Sequence, residues 1–329
     1  MKRRQFLALL GGALALPRFA RAQTPGATRR IGMLSSLAET DAEGQAWDAA
    51  FRKKLDELGW VDGRTVHIDS RWGAGSVERL QLFAKELVGL GPEVLVGITT
   101  PATAALQQET HTIPIVFSVV SDPVGSGFVA SLAKPGGNIT GFIDIEGSLG
   151  GKWLELMHEI APSVARAGFL FNSQTAPYAR YYLDAFRSAA ATLKIEPMEM
   201  PFHSAAEIEA VMAKLGRESG AGLIVMPDTS TVVNRDAIIS LANRDRLPVV
   251  YPFRLFAAAG GLLSYGIDLA DLLRGAATYV DRILRGAKPS ELPVQLPTKF
   301  EMIINQKTAK ALGLTVPQSL LVSADELIE

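Results

Sequence analysis

The chain has 329 residues, 48% of them hydrophobic and 20% charged, which is long enough for two domains and too apolar for disorder or a coiled coil. Five of its 33 Lys/Arg fall in the first 22 residues, which hold no acid; the rest carries 28 basic against 34 acidic residues, a net charge of −6 that argues against nucleic acid as a partner. There is no cysteine, which excludes disulfides, thiolate metal sites and a lipid-modified cysteine anchor.

Residues 1–22, "MKRRQFLALLGGALALPRFARA", predict a cleaved secretory signal. Lys2, Arg3 and Arg4 make a basic start, the apolar run 6–16 is too short to anchor in a bilayer, and Ala20-Arg21-Ala22 supplies small residues for a peptidase near Ala22. Arg3-Arg4 before Gln5-Phe6-Leu7 resembles the twin-arginine export signal, with the Sec route as the alternative. The expected mature product is soluble in the periplasm.

From residue 30 onward, short β-branched runs alternate with amphipathic stretches of ten or more residues, the pattern of βαβ units around parallel sheets. Strands are expected at 29–36, 64–72, 93–98 and 113–120, with helices at 43–59, 76–90 and following Thr99-Thr100-Pro101. In the first helix Trp47, Phe51, Leu55 and Leu58 form one apolar stripe, and Gly59 stops it. Strands at 167–172, 195–200, 221–226 and 247–251 then alternate with helices at 178–193, 205–217 and 232–243.

The second set repeats the first. "DAAFRKKLDEL" at 48–58 and "DAFRSAAATL" at 184–193 share an Ala-Phe-Arg triplet, and four landmarks recur in order: Gly32 with Gly168, Phe51 with Phe186, Val94 with Gly222, Pro114 with Pro248. Ordered matches at element boundaries predict a duplicated unit. The expected organisation is an α/β protein of two Rossmann-like lobes with parallel sheets: lobe 1 over 30–140, lobe 2 over 141–252, a boundary near "GGNITGF" (136–142), and segments of 253–329 crossing back between them as a multi-stranded hinge.

Open parallel sheets bind ligands at the carboxyl ends of their strands, where helix N-termini also point unpaired N–H groups. That rule selects Ser35, Ser36, Thr99, Thr100, Ser121 and Asp122 in the first lobe, and Asn172, Ser173, Asp228, Thr229 and Ser230 in the second. Each alone suits a helix cap; as a set facing one cleft they suit a small polar solute, with Asp122 or Asp228 able to pair with an ammonium group. Trp72, Phe117, Tyr178, Tyr251, Phe253 and Tyr265 lie near the same ends and could stack on a planar ligand, although Phe117 sits in a β-branched run and reads as core. The expected ligand set is led by Ser36, Thr100 and Ser121 from one side and Asn172, Asp228 and Tyr251 from the other.

The four histidines, His67, His111, His158 and His203, lack metal-ligand spacing, and His158-Glu159 reads as a pair of exposed helix residues. "VGSGF" (124–128) is not a nucleophile elbow, and no nucleotide-binding glycine motif follows a strand, so no metal or cofactor is expected.

"GITTPATAAL" (97–106), "SDPVGSGFVASLAKPGGNITGF" (121–142), "YPFRLFAAAGGLLSYG" (251–266) and "PTKFEMIINQKTAKALGL" (297–314) together resemble the substrate-binding proteins of ABC transporters related to the tryptophan-binding TrpX group. The resemblance runs from about Arg30 to the C-terminus. It implies a type I periplasmic-binding-protein fold with three hinge crossings, closing on one small solute, an amino acid or aromatic compound, and presenting the closed form to a membrane permease and its ATPase. Two alternatives remain open on the residues: an exported α/β enzyme using Asp122 or Asp228 as base, and a sensor that hands its closed form to a receptor.

Overall fold

The computed structural model describes residues 28–329, so the expected leader lies outside the described residues. The first sheet is wholly parallel, in the order β2-β1-β3-β4-β5, from β1 (Arg29–Ser35), β2 (Val66–Trp72), β3 (Val94–Ile98), β4 (Ile115–Val120) and β5 (Ile139–Ile143). Three helices return between its strands: α1 (Ala42–Glu57), α2 (Val77–Gly89) and α3 (Thr100–Glu109). Trp47, Phe51 and Leu55 of α1 are buried along one face, as their spacing requires, and Asp41 caps the helix by accepting from Glu43 and Gly44 N–H.

The second sheet repeats this order as β7-β6-β8-β9-β10, from β6 (Arg166–Asn172), β7 (Glu196–Phe202), β8 (Ala221–Val225), β9 (Val249–Tyr251) and β10 (Leu263–Gly266). Its helices are α4 (Leu149–Ile160), α5 (Arg180–Leu193), α6 (Ala205–Gly216), α7 (Thr229–Val233), α8 (Arg235–Arg244) and α9 (Arg254–Ala258). The sequence landmarks superpose on the topology. Gly32 and Gly168 lie on the equivalent strands β1 and β6, where a Cβ would crowd Leu95 in one and Met200 in the other. Ile31 pairs with Val94 as Ala167 pairs with Gly222, and Leu95 N–H bonds the Pro114 carbonyl (2.8 Å) as Leu223 N–H bonds that of Pro248 (2.9 Å). Phe51 and Phe186 are fully buried against their respective sheets.

The chain passes between the sheets three times. It leaves the first after Ile143, because "GGNITGF" is itself the approach to β5, hydrogen-bonded alongside β4; the first sheet therefore runs past residue 140, where the lobe boundary was expected. It returns after Gly266 into α10 (Leu269–Leu284), which packs on α1 and the first sheet. After the single turn Pro289–Glu291, Gln295 bridges Phe142 beside β5 before the chain crosses again into β11 (Glu301–Asn305), α11 (Gln306–Ala311), α12 (Gln318–Ser323) and β12 (Glu326–Ile328). Strand β11, in the segments expected to cross back between the lobes, is antiparallel to β10. The helix expected over 232–243 is broken at Asn234, whose Nδ2 bonds the Ser230 carbonyl and ends α7 before α8 begins.

Gly266 closes β10 at the second crossing, and a Cβ there would collide with the Pro252 carbonyl oxygen, a backbone atom with no side chain to swing aside. Gly266→Ala is expected to cost about 2 kcal/mol or more of stability, read from the shift of a denaturant unfolding midpoint.

Candidate functional site

The two sheets turn their carboxyl edges toward each other, and the strand-end residues line a small cavity between them. Leu37, Trp47, Thr99, Thr100, Val119 and Asp144 line it from the first sheet's side; Tyr178, Pro227, Asp228, Thr229, Val232 and Phe253 line it from the second. Among the described lining residues there is no Lys, Arg or His. Charge is supplied by two carboxyls, and most of the remaining wall is apolar.

Asp144 directly follows β5 and is 3% exposed. One oxygen accepts from Ile145 N–H (2.6 Å), and the Ser121 hydroxyl, itself bonded by the Tyr182 OH (2.9 Å), lies 3.0 and 3.1 Å from the two oxygens. The second oxygen has only that shared hydroxyl. Burial pushes the Asp144 carboxyl up to about 7, against the lowering effect of Ile145 N–H and Ser121. Asp228 faces it from the other lobe as the cap of α7, accepting from Ser230 N–H (3.0 Å), Asn172 N–H (2.8 Å) and the Thr175 hydroxyl (2.6 Å). Burial raises it to about 6. Tyr178 adjoins the same space, with its OH on the Pro227 carbonyl (3.3 Å); burial, then the nearby Asp228 and Asp144 charges, hold its phenol well above the usual range.

The start of α3, on the same side of the cavity as Asp144, has the opposite polarity. Thr99 precedes α3 without capping it, because its hydroxyl is engaged by Ser36 at 2.6 Å. Pro101 contributes no N–H, and the first-turn N–H groups of this ten-residue helix carry the positive end of its dipole toward the cavity without a carboxylate upon them. Backbone strain gathers here: Thr99 (φ +88°) and Val119 (φ +57°), both β-branched and both lining the cavity, occupy the left-handed region, and β4 loses register between Ser118 and Val120. Such conformers cost about 1–3 kcal/mol each and cluster at binding sites.

Of the residues expected from sequence, Thr99, Thr100, Tyr178, Asp228, Thr229 and Phe253 reach the cavity. Ser35, Ser36, Ser121 and Asn172 stand one layer behind. Ser35 accepts from Leu37 N–H, Ser121 N–H bonds the Thr100 hydroxyl while its own hydroxyl serves Asp144, and the Asn172 side chain organises residues 174–175. Asp122 lies on an outer groove, folded onto Gly125 N–H (2.8 Å). Tyr251 is core, stacked on Phe256 at 5.0 Å, and Tyr265 stacks on Phe300 while its carbonyl accepts from Trp153 Nε1 (2.8 Å). Trp72 packs over Gly44, and Phe117 is fully buried as expected. His158 and Glu159 are half-buried on α4 rather than exposed. Sequence reasoning missed Asp144, the end of a strand whose middle was taken for a linker; Trp47, taken as core only; and Leu37, Val119, Pro227 and Val232, which carry no chemical signal.

Two parallel-dominated lobes, three crossings and a cavity between strand ends define a solute-binding protein of the type I periplasmic fold. The profile of the ABC transporter substrate binding protein family matches residues 36–328, and the chain belongs to that family, as the solute-binding component of an ABC transporter. A tyrosine-binding protein of Clostridioides difficile is 28% identical over 291 residues, 87% of this chain and 81% of that one. The ABC domain from Streptococcus pneumoniae in complex with L-Trp is 26% identical, with a TM-score of 0.85 over 92% of this chain and all of the other. The ligand-free, open structure of a substrate-binding protein with adhesive properties from Clostridium difficile, 25% identical with 92% and 99% covered, gives 0.67. In the present structure the two lobes meet around the cavity, which residues of both line. No helix among the described residues is long and apolar enough to cross a membrane.

At a pH between the usual carboxyl value of 3.8 and the raised value of about 7, folded Asp144 holds a proton that the unfolded chain has released, so stability falls as pH rises through that window. The solute-free protein should melt about 5 °C or more higher at pH 5 than at pH 8 by calorimetry, and Asp144→Asn should shrink the difference.

Proposed function

We propose that the chain captures a zwitterionic amino acid with an aromatic side chain by closing its lobes over it, then presents the closed form to an ABC permease and its ATPase. Export through the leader of residues 1–22 by the twin-arginine route, with removal near Ala22, places it in the periplasm. The observation that carries the ligand class is the pair of buried carboxyls, Asp144 and Asp228, set in an otherwise largely apolar cavity without a lining cation. Two such carboxyls cannot both ionise there at low cost unless a cation joins them. An ammonium group supplies it, held chiefly by the free lone pairs of Asp144. The solute carboxylate then takes the first turn of α3 at Thr100, since the start of α7 is already filled by Asp228. Trp47, Leu37, Val119, Val232 and Phe253 enclose the side chain. The binding activities of the tyrosine-binding relative and of the L-Trp complex support this class.

The chemistry is capture without conversion. The Thr99 hydroxyl is bonded to Ser36, and the Asp228 oxygens are taken by Thr175, Asn172 and Ser230, so neither is paired as a nucleophile with a base.

Titration calorimetry should find L-tyrosine or L-tryptophan bound and recovered unchanged, Asp144→Asn weakening binding about a hundredfold, and the Thr100→Ala/Asp228→Ala double variant binding nothing measurable. Equal affinity for the aromatic acid lacking the amino group overturns the reading. Binding should also tighten as pH rises through about 6 to 7 and then level off, because the ammonium group recruits the ionised carboxyls and expels their protons.

A further inference from the structure

One charged pair spans the closed lobes outside the cavity. Asp41 belongs to the first lobe, where one oxygen caps α1 by accepting from Glu43 N–H (3.0 Å) and Gly44 N–H (3.1 Å). Its other oxygen meets Arg235 Nη1 at 2.8 Å, and Arg235 opens α8 in the second lobe. The same Nη1 also donates to the Val232 carbonyl (3.0 Å), so each partner is held by its own lobe before they meet. Their side chains are only 12% and 17% exposed, whereas every other ion-paired arginine among the described residues is at least 28% exposed, and neither lines the solute cavity.

Those features separate the pair from an ordinary surface bridge. An exposed pair is screened by salt and contributes little, whereas a pair sheltered by the closed mouth is screened less, and pre-anchored side chains lose little freedom on meeting. The α1 N-terminus further favours the negative charge of Asp41. Glu43, half-buried beside them, is a second carboxylate facing Arg235; burial raises it and the arginine partly restores it. At the same rim Val233 approaches Gly75 from across the mouth. Opening the lobes parts all of these at once.

We propose that Asp41 and Arg235 form a latch across the cleft mouth, positioning residues that set the balance between open and closed lobes without touching the solute. The latch adds stability to the closed form whether or not a solute is present. It therefore raises affinity for every solute by the same factor, acts mainly on release, and leaves the order of preference to the cavity. It rests on the closing of two lobes, not on which solute is bound.

The test uses the absence of native cysteine, which makes introduced thiols unique labels. Spin labels at Lys85→Cys in α2 and Ala210→Cys in α6, both exposed, report the spacing of the lobes. In solute-free protein, Asp41→Asn, which keeps the helix cap, and Arg235→Gln, which releases both carboxylates, should each move the distance distribution toward the open form; Arg235→Lys should restore part of it. With L-tyrosine and L-tryptophan as probes, release should quicken about tenfold in Asp41→Asn and more in Arg235→Gln, with their rank order unchanged. Solute-free distributions identical to that of the unsubstituted protein in both variants overturn the latch, as does a reordering of preference. If neither amino acid binds, the ligand class fails while the solute-free distances still decide the latch.

Discussion

A parallel strand delivers its last residue, and the helix that follows delivers its unpaired N–H groups, to the same edge of a sheet. In this chain two such edges face each other, and closure brings the ends of β3, β4 and β5 against those of β6, β8 and β9. Asp144, Asp228, Thr99 and Thr100 share one small space for that reason, although 129 residues separate Thr99 from Asp228. The duplication does the rest. A unit that ends its strands in hydroxyl, amide and carboxyl groups, written twice and turned face to face, yields a polar seam without any single motif to announce it.

The seam is costly to close when empty. Burial between the lobes strips water from the two carboxyls and pushes both values up. The strained turns at Thr99 and Val119 are retained in the same place, which is economical only if they aim groups at something that binds. A zwitterion of the class proposed would answer both costs: its ammonium group would restore the ionised carboxyls and its carboxylate would meet the uncapped start of α3. Affinity then comes from pairing groups that closure has already desolvated, not from area alone.

Much of the architecture was legible because hydrophobic period and turn residues act locally. The spacing of Trp47, Phe51 and Leu55, the Pro114 and Pro248 strand starts and the Gly32 and Gly168 crowding points all survived into three dimensions. The site was legible only to its first layer of chemistry. Strand-end logic found Thr99, Thr100, Asp228 and Thr229, but it could not tell a lining hydroxyl from one spent on a neighbour, as Ser121 is on Asp144. Nor could it find Asp144 once the glycines flanking β5 had been read as a linker. Tyr251 misled because its place beside Pro252 resembles an irregular loop, whereas stacking on Phe256 carries it into the core. These outcomes depend on contacts between segments far apart in sequence, to which local patterns are blind.

Asp144 also sits where binding can be felt by the hinge, because it is the first residue after the first sheet at the first crossing. Its Ser121 partner is held by Tyr182 of α5, and Tyr182 OH reaches back to the Ile145 carbonyl (3.1 Å), so the carboxyl, the crossing and the second lobe form one bonded cluster. Trp153 on the neighbouring α4 bonds the Tyr265 carbonyl beside the second crossing, tying two of the three crossings to one helix pair packed through Gly150 and Gly151. A charge arriving at Asp144 is thus not merely neutralised. It would act on the first crossing between the lobes, while the proposed latch at the far rim, Asp41 with Arg235, would resist their parting from the mouth. Selection by the cavity and retention by the rim are separable in this geometry because the residues that do each share no side chain.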